Sequence, residues 1–406
     1  MSGRNEGAPS AVLVLQVGNR SGPWACRSLV RAGYRVVGAH EGGRVAGRSR
    51  YCRAPLRTSS AVSTPDIFLE EVERICVEHS IDAVMSNDDE GITQLLATDL
   101  SSPAGAVFVG PTADQYNRVC DKSNLHESAR EAGLDTPAFA YADEAGYAPD
   151  WPPLPSIVKP RTTQTRAEGV LIRRSAIVVN TTAERDAAVA EVCAATGGAV
   201  VEERIVGTNW RAHFVADVGH LAMVPVTTIR SSPEDAGMSS VQAVTRLAPP
   251  ELRRASEQLL EFLEYQGPGS FQFIERDGRF YLHDVNLRLP SSVALTMLAG
   301  LDMPRLAVEV ALGRSADLGS VRIRQNVRYV WLHGELRNLA NRVRERQPLR
   351  RVWEIASEIL LAALSPRRVL DQFVLTDPLP TLALAARGLR GLRRSSPEKS
   401  RQKELV

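Results

Sequence analysis

Apolar residues along this chain keep two rhythms in turn, runs or alternations of strand length and the three-to-four spacing of amphipathic helices. Ala11 to Val17 is a continuous apolar run, Gly18 opens a turn, Trp24 to Ala32 is apolar at helical spacing, and Tyr34 to Gly38 reads as a second strand. This predicts a βαβ start to a doubly wound α/β unit. Ile67 to His79 and Gly91 to Leu100 follow as helices, with Ile81 to Met85 and Val107 to Gly110 as strands between and after them. Asn117 to Gly133 reads as one helix stopped by its glycine. Four prolines in Pro149 to Pro155 suggest a stiff linker.

Beyond the linker the strands become antiparallel in character. Ser156 to Pro160 is a short strand carrying Lys159, Arg161 to Gly169 a polar loop, and Val170 to Arg173 another strand. The helix Ala183 to Ala195 is followed by strands at Ala199 to Val206, Arg211 to Asp217 and Leu221 to Arg230. A helix over Pro249 to Gln266 leads into GSFQFIERDGRFYLHDVNLRLPSS, Gly269 to Ser292, which predicts a hairpin turning at Asp277-Gly278 with its second strand over Phe280 to Val285. Helices are expected at Ser291 to Ala299, Met303 to Leu312, Trp331 to Arg346 and Arg350 to Leu364. Residues 1 to 10 are polar and expected to be disordered.

The hairpin concentrates the candidate chemistry. Residues two apart on a strand share a face, so Asp284 and Asn286 point the same way and Gln272 on the partner strand can lie beside them. Oxygen donors with Arg288 two residues on suit a hard cation and a phosphate better than a thiol-loving metal. An ordinary hairpin with a wet polar face fits the same spacing. His283 precedes Asp284 and by alternation faces the other way. Asp88, Asp89 and Glu90 follow a strand, where α/β sheets often bind ligands, and read as a solvated acidic turn.

Composition narrows the class. Net charge is +2, but residues 386 to 406 hold seven Lys/Arg against two Glu, so the remainder is about −3 and a nucleic-acid-binding body is disfavoured. The five cysteines are scattered and never at CxxC spacing, which fits reduced thiols in a cytoplasmic protein and indicates neither a zinc site nor a disulfide framework. No apolar run reaches the ~18 residues of a membrane span. Of 49 basic residues only Lys122, Lys159, Lys399 and Lys403 are lysine. A compact charge on a flexible stem is a natural phosphate binder, so the two in the body are candidates for that role, and chance placement is the alternative. The GNRSG turn lacks the GxGxxG fingerprint, which disfavours a dehydrogenase.

Taken in order, Lys122, Lys159, the strand with Glu202 and Glu203, and the hairpin with Gln272, Asp284, Asn286 and Arg288 resemble the ATP-grasp superfamily over roughly residues 11 to 315. The resemblance implies an α/β and α+β fold. A doubly wound pre-ATP-grasp domain (11–115) would precede a two-lobed ATP-grasp core (116–315, small lobe about 156–206, large lobe about 207–315), with a helical C-terminal extension (316–406). It further implies ATP and Mg²⁺ as cofactors. Lys122 and Lys159 match phosphate-binding positions, Glu203 and Ile205 the adenine hinge beside Glu202, and Gln272, Asp284 and Asn286 the metal ligands; Arg288 matches the arginine facing the γ-phosphate. Asn209, with Trp210, stands where the family has an acidic ribose ligand. Asp284 stands for the usual Glu, and the phosphate loop has no glycine before Gly169.

The implied activity is a carboxylate-amine ligase: a carboxylate, an amino acid among the candidates, is activated as an acyl phosphate and joined to an amine. Lys159 and Arg288 would be catalytic, and Arg230 with Arg211 would meet the substrate carboxylate. The GMSS run at Gly237 is a candidate source of backbone donors nearby. A non-catalytic nucleotide-binding protein, or an ATP-dependent carboxylase, is the alternative on the same fold. The expected partners are small-molecule carboxylate and amine substrates, with no nucleic acid; a homodimer is compatible with the resemblance. Leu382 to Arg394 alternates apolar and Arg residues, which suits either weak contact with an anionic membrane or a frayed surface helix.

Overall fold

The computed structural model of the protein describes residues 10–41, 49–52, 55–97, 103–143, 150–161, 165–167, 170–172, 176–232, 239–365, 367–371, 374 and 376–380. The polar N-terminus, most of the loop expected at 161–169, Gly237 and Met238 of the GMSS run and the segment from Leu382 onward lie outside the described residues, while the two serines of that run open a strand.

The first unit runs β1 (Ala11–Leu15), α1 (Gly22–Arg31), β2 (Arg35–Glu41), β3 (Leu56–Thr58), α2 (Pro65–Glu78), β4 (Ala83–Ser86), α3 (Asp89–Ala97) and β5 (Val107–Phe108). Its strands form a parallel sheet in the order β3-β2-β1-β4-β5. β1 is buried at every position, as a strand covered on both faces must be, which is why its sequence is an unbroken apolar run.

Two helices then connect to the second unit: α4 (Ala113–Cys120) and α5 (Lys122–Glu131). The sequence predicted one helix here. The break comes at Asp121, whose extended backbone (ψ 121°) and side-chain bond to the Ser123 amide cap a new helix. Lys122 thereby becomes the first residue of α5.

The second unit holds β6 (Phe139–Asp143), β7 (Ser156–Pro160), a small hairpin of β8 (Thr165–Ala167) and β9 (Val170–Ile172), β10 (Ile177–Val179), α6 (Thr182–Thr196) and β11 (Gly198–Glu203). The strands β10-β7-β11-β6 form an antiparallel sheet. β6 was not anticipated from the sequence. Its apolar positions are two alanines and two aromatics, too few to announce a strand.

The third unit comprises β12 (Thr208–Asp217), β13 (His220–Ser232), β14 (Ser239–Thr245), α7 (Pro250–Leu263), β15 (Gly267–Arg276), β16 (Arg279–Asn286), α8 (Val293–Ala299), α9 (Met303–Ala311), β17 (Arg328–Val330), α10 (Leu332–Arg344), α11 (Leu349–Leu364) and β18 (Arg368–Leu370). Its sheet has the order β16-β15-β12-β13-β14-β17-β18. The expected C-terminal helices are present, and β17 and β18 extend the large sheet on either side of them in the chain.

One apolar core joins the first and third units: Val12, Val14 and Leu29 cluster with Val224, Leu295, Leu306 and Tyr329. A second core packs α5 and α7 against β12, β15 and β16. These two cores fix α5 and the α3 end of the first sheet against the β15–β16 hairpin. No described helix is long and apolar enough to cross a membrane.

Candidate functional site

The β15–β16 hairpin turns at Asp277 and Gly278, both at positive φ (55° and 78°), the geometry a two-residue hairpin turn demands and Asp-Gly supplies readily. Gln272 pairs with Asp284 across it. The register then slips, because the next pair is Phe273 with Leu282, leaving His283 as the extra residue of a β-bulge. Strict alternation placed His283 on the face opposite Asp284. The bulge cancels that alternation: His283 lies in reach of the charges of Lys159, Asp284, Glu202 and Lys122, and burial above all pushes its imidazole down to about 3.

Asp284 is the centre of the cluster. Lys122 Nζ donates to its Oδ1 at 2.8 Å, while Gln272 Nε2 at 2.5 Å and Asn286 Nδ2 at 2.9 Å donate to its Oδ2. Burial alone would raise the Asp284 carboxyl, yet Lys122 and the neighbouring cations hold it down at about 2. Burial likewise opposes charge on Lys122, and Asp284 more than offsets it, so the ammonium is held above its ordinary value.

Lys159, on β7, meets Glu202, on β11, at 2.5 Å. Glu202 is 1% exposed, and its second oxygen accepts from His126 Nε2 of α5 at 3.1 Å. Burial would raise this carboxyl; Lys159 and His126 instead hold it well below the usual carboxylate range. Glu202 is therefore the counter-ion that positions Lys159. His126, which sequence reasoning missed, stacks on Phe139 at 4.6 Å and braces it. A lone histidine on a helix gives no signal until the fold brings β11 beside it.

Arg288 makes a bidentate pair with Asp89 at the start of α3, with both distances 2.8 Å, and its Nη2 also reaches Asn286 Oδ1 at 3.1 Å. Burial would lower the guanidinium; Asp89 reverses this and raises it. The acidic stretch expected to be a solvated turn is thus part of the site. Next to it, burial and the adjacent Glu90 and Asp89 push the Asp88 carboxyl up to about 7.

Arg211 joins the same face, with Nε donating to Gln272 Oε1 at 3.1 Å. Burial and the nearby Arg20 bring its guanidinium down to about 10. Arg20, in the turn after β1, donates to the Tyr329 hydroxyl at 3.4 Å and lies 4.0 Å over the Trp331 ring. Four cations, Lys122, Lys159, Arg211 and Arg288, thus stand among three carboxylates, Glu202, Asp284 and Asp89.

The remaining expected residues lie apart from these contacts. Glu203 pairs with Arg276 at 3.2 Å and gives its amide to Ala138; the Ile205 amide donates back to the Glu203 carbonyl at 3.1 Å. Asn209 is exposed at the start of β12, opposite Ile274. Arg230 is held by two carboxylates of the C-terminal helices, Glu335 at 2.9 Å and Glu354 at 3.0 Å. It lies four residues along β13 from Val226, the partner of Arg211, or roughly 13 Å away. His213 is buried between the hydroxyls of Ser270 (2.9 Å) and Ser292 (3.1 Å), and burial lowers it to about 3.

The hairpin offers one carboxylate and two amide oxygens. That all-oxygen set fits Mg²⁺, which binds through one or two carboxylates and leans on nucleotide phosphates for the rest. Presenting the Gln272 and Asn286 oxygens requires those amides to turn away from Asp284 and their arginine partners. Among the described residues no group of three or more His, Cys, Asp or Glu is arranged to hold a metal by itself.

Comparison with known proteins bears on this geometry. A family model described as "ATP-grasp in the biosynthetic pathway with Ter operon" matches residues 230–335. Of solved structures, an L-amino acid ligase from Bacillus licheniformis superposes with a TM-score of 0.62 at 16% identity, covering 79% of this chain and 78% of that one. The chain has the ATP-grasp fold. A biotin carboxylase complex from Campylobacter jejuni is similar at a TM-score of 0.60 and 16% identity over 77% of this chain and 73% of that one. In sequence, the chain is 22% identical over 322 residues to the carbamoyl phosphate synthase large chain of Vibrio parahaemolyticus serotype O3:K6 (strain RIMD 2210633). The match takes in 73% of this chain but only 28% of that much longer relative.

Proposed function

We propose that the protein is an ATP- and Mg²⁺-dependent ligase that activates a carboxylate and joins it to an amine. The observation that carries this reading is the convergence of Lys122, Lys159 and Arg288 on the Asp284 hairpin, with all three cations held by carboxylates. A polyphosphate takes Lys122 over from Asp284 and meets the remaining donors of Lys159 and Arg288, which Glu202 and Asp89 go on orienting, so the site is charged for an anion while the chain alone stays satisfied.

When bound, ATP supplies the γ-phosphoryl group and Mg²⁺ neutralises charge on its oxygens. Lys122 and Lys159 hold phosphate oxygens, and Glu202 with His126 keeps Lys159 aimed. Asp284, Gln272 and Asn286 supply the metal's protein oxygens. Arg288, aligned by Asp89, stabilises charge on the phosphoryl group as it moves to the substrate carboxylate. The carboxylate oxygen forms the new bond to phosphorus as the bond to ADP breaks. The amine would then displace phosphate at the acyl carbon, its proton passing to solvent.

We assign the substrate carboxylate to Arg211 and Arg20, rather than to Arg230, which lies four residues farther along β13, roughly 13 Å from the position opposite Arg211, and is turned to the C-terminal helices. A polar cavity of about 680 Å³ at the ends of β1 to β3, lined by Gln16, Asn19, His40, Arg57 and Glu71 among others, gives a polar second substrate an approach. Its Asn19 donates to Asp88 at 3.3 Å, beside the Asp89 that holds Arg288.

Phosphate release with Mg-ATP and a panel of amino and hydroxy acids, with hydroxylamine as trap, tests the proposal. A hydroxamate identifies the acid. Bicarbonate-dependent phosphate release without hydroxamate would instead make the chain a carboxylase. Arg211→Ala should raise the acid's KM while leaving ATP binding intact.

A further inference from the structure

The hairpin of α10 and α11 packs through one side, burying Glu335, Asn338, Arg342, Ile355 and Ala362. Its other side is unusually apolar for a helix pair in water. Leu349 is 75% exposed, Trp353 69%, Leu360 61% and Leu364 74%, while on α10 Leu336 is 48% and Val343 58% exposed. At about 100° per residue, the four on α11 fall in one stripe roughly 60° wide, well away from buried Ile355 and Ala362. Leu336 and Val343 likewise lie within about 20° of each other on α10.

The charge around these stripes is predominantly positive. The acids of α11 are turned to partners: Glu354 to Arg230 and Arg342, Glu358 to Arg328 and Arg368. Arg337, Arg344, Arg346 and Arg350 are exposed, against the exposed Glu345 of the connecting turn and Glu354, which is half exposed but paired with Arg230 and Arg342. The sequence beyond Pro380 continues the same sign, with seven Lys/Arg against two Glu in residues 386 to 406. A second copy seated here would set arginine against arginine, and the chain's own basic C-terminus would do the same. An anionic surface with an apolar interior satisfies both the leucines and the arginines, and an exposed tryptophan suits its polar boundary.

We propose that the α10–α11 hairpin docks on an anionic lipid surface, with Leu349, Trp353, Leu360 and Leu364 entering the headgroup boundary and the arginines meeting lipid phosphates. This is independent of the ligase reading, since none of these residues contacts the candidate site.

The test is flotation of the full chain with phosphatidylcholine vesicles, with and without phosphatidylglycerol, alongside tryptophan emission. Expected are binding to the anionic vesicles alone, a blue shift, weakening by salt, and a loss of about tenfold or more in the Leu360→Glu, Leu364→Glu double variant. These positions are exposed, and thermal unfolding checks that the variant stays folded. Should it unfold, the Arg344→Glu, Arg350→Glu pair carries the same expectation. The idea is overturned if the wild type ignores anionic vesicles, or if it floats equally well in both double variants. It is also overturned if only the tail variant Arg390→Glu, Arg393→Glu loses binding, or if light scattering shows a dimer that the leucine variant dissolves while no vesicle binding occurs.

Discussion

Glu202 shows what a buried counter-ion demands of its partners. Its carboxylate is 1% exposed and rests on Lys159 and His126, so removing the lysine leaves a buried charge with one weak donor. Breaking such a pair costs about 3 kcal/mol. Lys159→Met should therefore abolish substrate-dependent phosphate release and also lower the unfolding temperature. Adding Glu202→Gln should restore much of the stability and none of the activity. If the double variant is no more stable than the single one, the pair is not the stabilising unit. His213 gives the pH counterpart. Burial lowers its folded-state value to about 3, against about 6.5 unfolded, so the unfolded chain takes the proton first. Stability from this residue is complete above about 6.5 and is lost as pH falls toward 3, at about 1.4 kcal/mol per pH unit. His213→Gln should flatten the pH dependence of denaturant unfolding between those limits by about one proton. Comparing the two proteins cancels Asp88, whose raised carboxyl works in the opposite direction.

Elements decide where those residues end up, and here the sequence was legible in some places and silent in others. The hairpin's Asp-Gly turn and the pairing of Gln272 with Asp284 were readable, because period-two alternation and turn chemistry are local properties. The bulge at His283 was not, since it depends on how β16 registers against β15. The acidic turn at Asp89 looked solvated because its partner, Arg288, is 199 residues away. The break between α4 and α5 was missed although Asp121 is a good capping residue, because apolar spacing runs on across it. That cap carries a consequence. Asp121 accepts from the Ser123 amide at 2.9 Å and pairs with Arg161 at 2.7 Å, holding the first turn of α5 to the end of β7. Asp121→Ala should cost about 1 kcal/mol for the cap alone. It should also let Lys122 drift from Asp284, raising the KM for ATP several-fold with a smaller effect on the acid's KM. Equal changes in both would point to general loosening of the fold.

At the scale of the whole molecule, the site is assembled from separate units: Asp89 from the first, Lys122 from the connecting helices, Lys159 and Glu202 from the second, and the hairpin from the third. Its geometry therefore depends on how firmly the units are tied. The C-terminal segment supplies one tie. Asp371 accepts from Trp24 at 3.0 Å and from the Tyr329 hydroxyl at 2.6 Å. Asp377, of the Asp-Pro-Leu-Pro run, accepts two bonds from Arg27 at 2.9 and 2.7 Å, with Ser49 at 2.7 Å. Arg27 and Asp377 are 1% and 2% exposed, so this is a buried pair between α1 and a stretch 350 residues later. Burial would raise the Asp377 carboxyl; Ser49, Arg27 and the Arg50 amide together lower it. Asp377→Asn keeps the shape and leaves Arg27 buried without its charge partner, at a cost of about 3 to 5 kcal/mol. The expected result is a lower unfolding temperature and faster proteolytic cutting after residue 364, with the Gln272–Asp284–Asn286 face of the hairpin intact at low temperature. The stabilisation that Asp377 contributes is present above about pH 4 and is lost as pH falls through its depressed folded value. The wild type and Asp377→Asn should therefore converge in stability in acid. Divergence that persists there would place the contribution in the hydrogen bonds from Ser49 and Arg50 instead of in the ion pair.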